Sequence, residues 1–135
     1  NTNYYFSKTC FMQVFVFLAM LTIYHNPHCR KSREALQELE SKNIPHTVVK
    51  YIQQPLGVAE LKELLQKLEK QPQDIIRKQE PLWKENFKGE TFSETALLQL
   101  LAEHPKLIER PIIASKNEAV IGRPLENLLA FLQKI

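Results

Sequence analysis

The chain has 135 residues, of which 44% are hydrophobic, and this length and composition are those of one globular domain that buries its own core. Its 18 lysines and arginines stand against 15 aspartates and glutamates, and a net charge of +3 excludes the strongly basic surface of a nucleic-acid-binding protein. Two cysteines, Cys10 and Cys29, are too few for a disulfide framework, so we expect reduced thiols and a cytoplasmic protein.

Residues 10–24 form an almost continuous apolar run near the start of the chain. A membrane-spanning helix takes about 20 apolar residues, and a secretory signal needs a charged start and a small-residue cleavage site, so this run fits neither well. We expect no membrane partner, with a signal or anchor as the alternative. The domain is predicted over residues 20–135, with Met20 as the natural start and residues 1–19 as an apolar N-terminal extension added upstream of it.

The first predicted elements are a strand, a helix and a second strand. The short β-branched segment Leu21–Tyr24 predicts a strand that is broken by Pro27. Apolar residues at helical spacing predict a helix from Ser32 to residues 42–43, and residues 46–52 predict the second strand. This β-α-β order implies two neighbouring parallel strands with a right-handed crossover.

The middle of the chain is predicted to be helical. Apolar residues repeat at three and four positions over residues 58–68, which is typical of an amphipathic helix. Residues 72–86 predict helical turns that Pro81 interrupts, and Ser93 is predicted to cap a further helix over residues 94–103.

The last predicted elements are a hairpin and a helix. Two short apolar segments flank Lys116 and Asn117, which predict a hairpin turn, and a helix follows from about Leu125. The whole order is β-α-β, helices, β-β-α. It predicts an α/β, thioredoxin-like fold: a four-stranded mixed sheet covered by helices, with a helical insert between the two parts.

Cys29 lies just after a predicted strand and just before a predicted helix. The free N–H groups and partial positive charge of a helix start stabilise an anion there. Five basic residues are close to it in the chain: His25, His28, Arg30, Lys31 and Arg33. These neighbours favour the thiolate, which is the nucleophilic form of cysteine.

Two other roles for Cys29 stay open at this point. One is a small buried apolar residue, which the polar, proline-containing loop disfavours. The other is a metal ligand together with His25 and His28. A structural zinc site takes four ligands and no second cluster lies nearby, so we expect no metal.

Ser32 stands where the second cysteine of a C-x-x-C motif would be. Cys10, in the predicted extension, is the remaining thiol of the chain. An adduct formed on Cys29 is therefore expected to need an external thiol, such as glutathione or a glutaredoxin, to resolve it.

Arginine is scarce in this chain, which has five arginines against thirteen lysines. A planar guanidinium grips an oxyanion with paired hydrogen bonds. Arg110 and Arg123 each precede a proline, which holds them extended, and they flank the predicted hairpin, while Arg77 lies in the helical insert. The three together predict an oxyanion site, and a surface salt bridge is the alternative for any one of them.

Four separated segments resemble one family, the glutaredoxin-coupled arsenate reductases, which are related to the Spx-type proteins. "YHNPHCRKSR" is similar to that family's active-site segment, H-N-P-x-C-G-T-S-R. "IIRK", "EHPKLIERPII" and "IGRPLE" resemble further family segments in the same order. The resemblance covers about residues 21–135.

The resemblance implies a reaction and a set of site residues. The thiolate matching Cys29 attacks arsenate, glutathione adds to the arsenic, and glutaredoxin completes the reduction to arsenite, with no bound cofactor and no metal. The matching catalytic residues are Cys29 and His25, the latter helping to keep the cysteine ionised. The matching substrate-binding residues are Asn26, Ser32, Arg33, Arg77, Arg110 and Arg123. Pro111 matches a cis-proline that faces the cysteine in this fold.

One departure and two alternatives accompany the resemblance. Arg30 and Lys31 stand where the family usually has Gly-Thr, which bears on substrate preference. A glutathione-dependent thiol reductase of the same fold is one alternative. An Spx-like regulator that binds RNA polymerase is the other, although those regulators generally lack the H-N-P segment and the arginine of "GRPLE".

Overall fold

The structure is a computed structural model that describes residues 20–135. The predicted extension, residues 1–19 with Cys10, lies outside the described residues. The strands are β1 (Leu21–Tyr24), β2 (His46–Val49), β3 (Ile112–Ala114) and β4 (Ala119–Ile121). The α-helices are α1 (Arg30–Ser41), α2 (Val58–Leu68), α3 (Pro81–Asn86), α4 (Glu94–Glu103) and α5 (Leu125–Lys134). Two 3₁₀ turns, Pro72–Ile75 and Pro105–Leu107, complete the described elements.

The strands form a mixed sheet in the order β2-β1-β3-β4. β1 and β2 are parallel, with Ile23 opposite Val48, as the predicted β-α-β unit requires. β3 is antiparallel to both β1 and β4, with Ile113 opposite Ile23 on one side and Val120 on the other. The prediction of an α/β fold with a four-stranded mixed sheet is therefore confirmed.

The sheet separates two apolar cores because successive strand residues point to opposite faces. On one face β1, β3, α1 and α5 contribute the buried residues Leu21, Ile23, Ala35, Leu39, Ile113, Leu128 and Phe131. On the other face the helical insert covers Ile112 and Ala114 of β3. The buried insert residues include Leu61, Leu64, Leu65, Ile75, Trp83, Leu98 and Leu101. The insert thus covers this face of the sheet.

Several predicted boundaries differ from the structure. β2 ends at Val49 instead of continuing to residue 52, because the chain turns at Lys50, whose carbonyl accepts from the N–H groups of Gln53 and Gln54. Tyr51 is folded into the core by this turn. Helix α1 begins at Arg30, two residues before the predicted start.

Pro81 begins helix α3, whereas we predicted that it interrupts helical turns. Proline is favoured in the first turn of a helix, where its missing N–H would have no partner in any case. Pro72 begins a 3₁₀ turn in the same way.

The predicted cap and hairpin are confirmed. The Ser93 hydroxyl accepts a hydrogen bond from the Ala96 N–H at 3.1 Å and so caps α4. The hairpin between β3 and β4 is closed by the Ser115 N–H, which donates to the Glu118 carbonyl at 2.7 Å. Among the helices of residues 20–135, none combines the length and apolar composition that a membrane span requires.

Candidate active site

Cys29 is the N-cap residue of α1, with an extended backbone at φ −100° and ψ 122°. Its N–H donates to the Asn26 carbonyl at 3.0 Å, and its own carbonyl accepts from the Arg33 N–H at 3.0 Å. The loop therefore turns sharply and places the cysteine at the start of the helix. Cys29 is only 8% exposed, more buried than its polar loop led us to expect.

The side chains of Arg30 and Lys31 point to solvent and not toward an anion at the helix start. The Arg30 side chain is 83% exposed, and its Nε lies 3.0 Å from Glu34 Oε1. The Lys31 ammonium lies 3.6 Å from the other oxygen of Glu34. Glu34 offsets part of the charge of these two side chains, and water screens the remainder, so their influence on an anion at the helix start is weakened.

His25 is buried and shares a hydrogen bond of 2.7 Å between its Nδ1 and the Ser32 hydroxyl. Burial, followed by the nearby charges of Lys50 and Arg33, lowers the pKa of His25 below its ordinary 6.5. The imidazole is therefore mostly neutral at pH 7. His25 does not supply a full positive charge to the cysteine at that pH.

The other predicted loop residues hold the shape of the loop. The buried Ser32 hydroxyl also accepts from the Asn26 N–H at 3.0 Å. The Asn26 side-chain oxygen accepts from the His28 N–H at 3.0 Å, and the Arg33 guanidinium donates to the Pro27 carbonyl at 2.9 Å. These bonds pre-organise the backbone around the cysteine.

Arg77 lines two pockets, and the cysteine loop forms part of the first. The first, of about 230 Å³, contains Arg77 and Arg110 together with the loop residues Asn26 and His28. Ile52, Gln53, Glu80 and Lys106 complete its wall. The second, of about 300 Å³, contains Arg77 and Arg123 with Glu109. The structure thus places the three predicted arginines around two pockets with a shared wall.

Arg33 lies away from these arginines. It lines a separate surface pocket with His25, Leu36 and Glu40 on the side of α1. Its guanidinium is already bonded to the Pro27 carbonyl. This bond supports the loop from outside, and the predicted role of Arg33 in substrate binding stays a prediction.

The three pocket arginines differ in how many of their N–H donors are paired with other protein groups. Arg77 Nη1 forms an ion pair with Glu80 Oε2 at 2.8 Å. The Nε of Arg110 is buried and has no hydrogen-bond partner among the described residues. Arg123 is exposed and forms no ion pair within residues 20–135. Arg110 and Arg123 therefore keep donors free for a ligand.

The backbones of Arg110 and Arg123 run side by side at one end of the hairpin. The Gly122 N–H donates to the Pro111 carbonyl at 2.9 Å, which links the two Arg-Pro segments. The Arg110–Pro111 bond is cis, as the resemblance implied, and the Arg123–Pro124 bond is cis as well, which was not expected.

Sequence reasoning missed three residues that lie among these charges: Tyr51, Glu80 and Glu109. Tyr51 is buried, and its hydroxyl has no partner among the described residues. Burial raises the pKa of Glu109, while the positive charges of Arg77 and Arg123 oppose that rise.

A signal for Tyr51 was present in the predicted topology. The segments that follow two neighbouring parallel strands emerge at the same sheet edge. Tyr51 lies near the carboxyl end of the predicted second strand, residues 46–52, and Cys29 follows the first strand, so the two were to be expected near the same edge. Glu80 carried no comparable signal, because its position depends on how the helical insert folds over the sheet.

The described residues contain no group of three or more histidine, cysteine, aspartate or glutamate side chains that could hold a metal ion. His25 bonds to Ser32, and His28 lies exposed in the wall of the arginine pocket. The site as described offers one thiol and several hydrogen-bond donors. Such a site can bind an oxyanion and attack it with sulfur.

Three comparisons with known proteins agree on the family. A protein from Neisseria meningitidis named arsenate reductase is 41% identical over 114 residues, which are 83% of this chain and 97% of that protein. The uncharacterised Escherichia coli K12 protein YfgD is 42% identical over 109 residues, which are 79% of this chain and 92% of that one.

A solved structure, the arsenate reductase from Vibrio cholerae, superimposes with a TM-score of 0.78 at 44% identity. It covers 83% of this chain and 97% of its own. The model of the ArsC family matches residues 24–131, which include Cys29 and all three pocket arginines. By this match and these relatives, the chain is a member of the ArsC family.

Proposed function

We propose that this protein reduces arsenate to arsenite through an adduct on Cys29. The observation that carries the proposal is that Cys29 starts α1 and that the loop leading to it lines one pocket with Arg77 and Arg110. Membership of the ArsC family supports it, as do relatives that are named arsenate reductases. Of the protein's own groups, Cys29 reacts covalently, and the donors around it bind the anion.

The first step joins sulfur to arsenic. Arsenate is a tetrahedral oxyanion, and the forks of Arg77, Arg110 and Arg123 can grip several of its oxygens at once. The free N–H groups at the start of α1 add donors where negative charge develops. The Cys29 thiolate attacks arsenic, a sulfur–arsenic bond forms, and one arsenate oxygen leaves as water after it takes up protons.

The reduction itself needs thiols from outside the site. Ser32 cannot form a disulfide with Cys29, and no other cysteine lies within residues 20–135. Glutathione displaces a second oxygen as water and bonds to arsenic. Glutaredoxin then takes the glutathione sulfur as a mixed disulfide, and the two bonding electrons stay on arsenic, which becomes trivalent. Hydrolysis of the remaining sulfur–arsenic bond releases arsenite and Cys29. We place this chemistry in the cytoplasm, where glutathione is reduced.

The test is NADPH oxidation that depends on arsenate, in the presence of glutathione, glutaredoxin and glutathione reductase. We expect turnover with the wild-type protein and none with Cys29→Ser, because the nucleophile is lost. Cys10→Ser is the matched control and is expected to keep its activity. A wild-type signal no greater than that of Cys29→Ser would reject the proposal.

A second candidate is a glutathione-dependent thiol reductase, which the single thiol followed by Ser32 also fits. The same coupled assay distinguishes it when a glutathione mixed disulfide replaces arsenate. Turnover of the disulfide without turnover of arsenate favours this candidate. An Spx-like regulator would show neither activity and would bind RNA polymerase.

A further inference from the structure

Two buried side-chain atoms of residues 20–135 have no hydrogen-bond partner: Tyr51 Oη and Arg110 Nε. Buried polar groups are nearly always paired, because an unpaired one loses its bonds to water without compensation. Both atoms carry a proton that they can donate. Val49 of β2 and Ile112 of β3 both pair with Tyr24 at the end of β1, so Tyr51 and Arg110 lie at the same edge of the sheet. Two unpaired donors at one sheet edge point to an acceptor that binds there.

Tyr51 enters this region from the end of β2. It is 2% exposed, and the turn at Lys50 carries the chain onward so that Ile52 and Gln53 line the pocket that holds Arg77 and Arg110. The ring itself packs in the core beneath the helical insert. Tyr51 is therefore buried directly before a segment that forms part of the pocket wall.

The charges that act on Tyr51 are those of the candidate site. Burial raises the pKa of its phenol far above the ordinary 10.0, and among the charged groups the largest influence is Arg77, followed by Cys29, Glu109 and Glu80. The hydroxyl thus keeps its proton throughout the neutral pH range. It remains a neutral donor among groups that bind or attack an anion.

Tyr24 offers an instructive contrast on the neighbouring strand. It is only partly buried and packs against the same core as Tyr51. After burial, the charges that raise the pKa of Tyr24 are those of Glu60 and Glu63 of α2, and no arginine is among them. The charged groups that act on Tyr51 therefore differ from those that act on Tyr24, although burial raises the pKa of both phenols.

We propose that Tyr51 is a further oxyanion ligand, whose hydroxyl donates a hydrogen bond to an oxygen of the anion that Arg77 and Arg110 hold beside Cys29. This rests on the proposed function, since the anion would be arsenate or the adduct it forms. The role is that of a substrate contact, and no proton leaves the phenol during the reaction. A tetrahedral oxyanion has enough oxygens to satisfy Tyr51 Oη and Arg110 Nε together.

The experiment removes the hydroxyl and keeps the ring. Arsenate is titrated by calorimetry into Cys29→Ser, which cannot form the adduct, and into the double variant that also carries Tyr51→Phe. We expect the dissociation constant of arsenate to rise about tenfold in the double variant, the effect of one lost hydrogen bond to a charged group. Tyr24→Phe in the same background is the matched control and is expected to change it less than twofold.

The unliganded stability checks that the variant is folded. Tyr51→Phe is expected to unfold at the same urea concentration as the wild type or a higher one, because the lost hydroxyl had no partner. A second measurement is the ultraviolet difference spectrum of the tyrosines on adding phosphate to the intact protein. A saturating change that Tyr24→Phe retains and Tyr51→Phe loses supports the inference, and a change that Tyr51→Phe retains in full overturns it.

The outcomes separate this inference from the function on which it rests. Equal arsenate affinities of Cys29→Ser and of the double variant with Tyr51→Phe overturn the inference but do not contradict arsenate reduction. If Cys29→Ser does not bind arsenate while the wild type still oxidises NADPH in response to arsenate, the inference about Tyr51 is overturned and the proposed function stands. Absence of both binding and turnover overturns the inference and the proposed function together.

Discussion

The side chains of this site fall into two groups: those whose hydrogen-bonding atoms are paired within the protein and those that keep an unpaired donor. His25, Ser32, Asn26 and Arg33 bond to one another or to the loop backbone. Arg110 keeps a buried donor without a partner. We infer that the first group gives the cysteine loop its shape and that the arginines of the pocket are available to a ligand.

The buried state of His25 predicts how stability depends on pH. Its pKa in the folded protein is lowered, chiefly by burial, from the 6.5 of an unfolded chain. Between those two pKa values the unfolded state binds more protons than the folded state. The stabilising contribution is therefore complete above about pH 6.5 and is lost as the pH falls through the lowered pKa.

We expect the free energy of unfolding of the wild type to decrease between about pH 7.5 and about pH 5, by at most about 1.4 kcal/mol per pH unit from this one group. His25→Gln should lose less over the same range. Urea denaturation at several pH values measures both slopes. His28→Gln, which removes an exposed histidine from the same loop, is the control, and identical slopes for His25→Gln and wild type would contradict the prediction.

Secondary-structure elements bring the site together at one edge of the sheet. The parallel strands β1 and β2 both end there, and the His25 N–H donates to the Val49 carbonyl at 2.8 Å just beyond their last paired residues. The hairpin brings the two Arg-Pro segments beside each other. The helical insert then adds Arg77, whose N–H donates to the Leu107 carbonyl at 2.7 Å.

The cap of α4 gives a prediction at this scale. Ser93→Ala removes the hydroxyl that accepts from the Ala96 N–H and leaves a first-turn donor without its partner. We expect a loss of about 1 kcal/mol in the free energy of unfolding, measured with urea. Ser41→Ala, which removes a hydroxyl from the last turn of α1, is the control and should change stability by less than about 0.5 kcal/mol. Equal losses in the two variants would show that the cap contributes nothing specific.

Across the whole molecule, two cores share one narrow sheet. Leu21 and Ile23 of β1 and Ile113 of β3 belong to the core under α1 and α5. Ile112 and Ala114 of β3 belong to the core under the insert. Loss of either core therefore removes the support of strands that the other core needs.

We expect the described domain to unfold in one cooperative transition for this reason. Trp83, the single tryptophan of the chain, lies in the insert core with ring centroids 6.1 Å from those of Phe87 and Phe92. Its fluorescence reports the insert, while far-ultraviolet circular dichroism reports all helices. Coincident urea midpoints are the expected result, and an earlier fluorescence midpoint would mean that the insert unfolds by itself.

The predictable parts of this fold are those with local causes. The leucine spacing of α2, the Ser93 cap and the Ser115–Glu118 hairpin were all visible in short stretches of sequence. The end of β2 was not, because the residues after Val49 are as β-branched and aromatic as those before it. Their turn is set by the burial of Tyr51 in a core built by distant helices.

By itself, the sequence determined the order of strands and helices, the place of Cys29 at a strand-to-helix junction and the identity of the arginines near it. These features depend on residue spacing, on turn residues and on short segments that resemble those of a known family. Only the tertiary structure decided which donors are occupied and which are free. Arg30 and Lys31 pair with Glu34, whereas the hydroxyl of Tyr51 and the Nε of Arg110 have no partner among the described residues. Whether a donor is satisfied depends on neighbours in space, and those come from segments far apart in the chain.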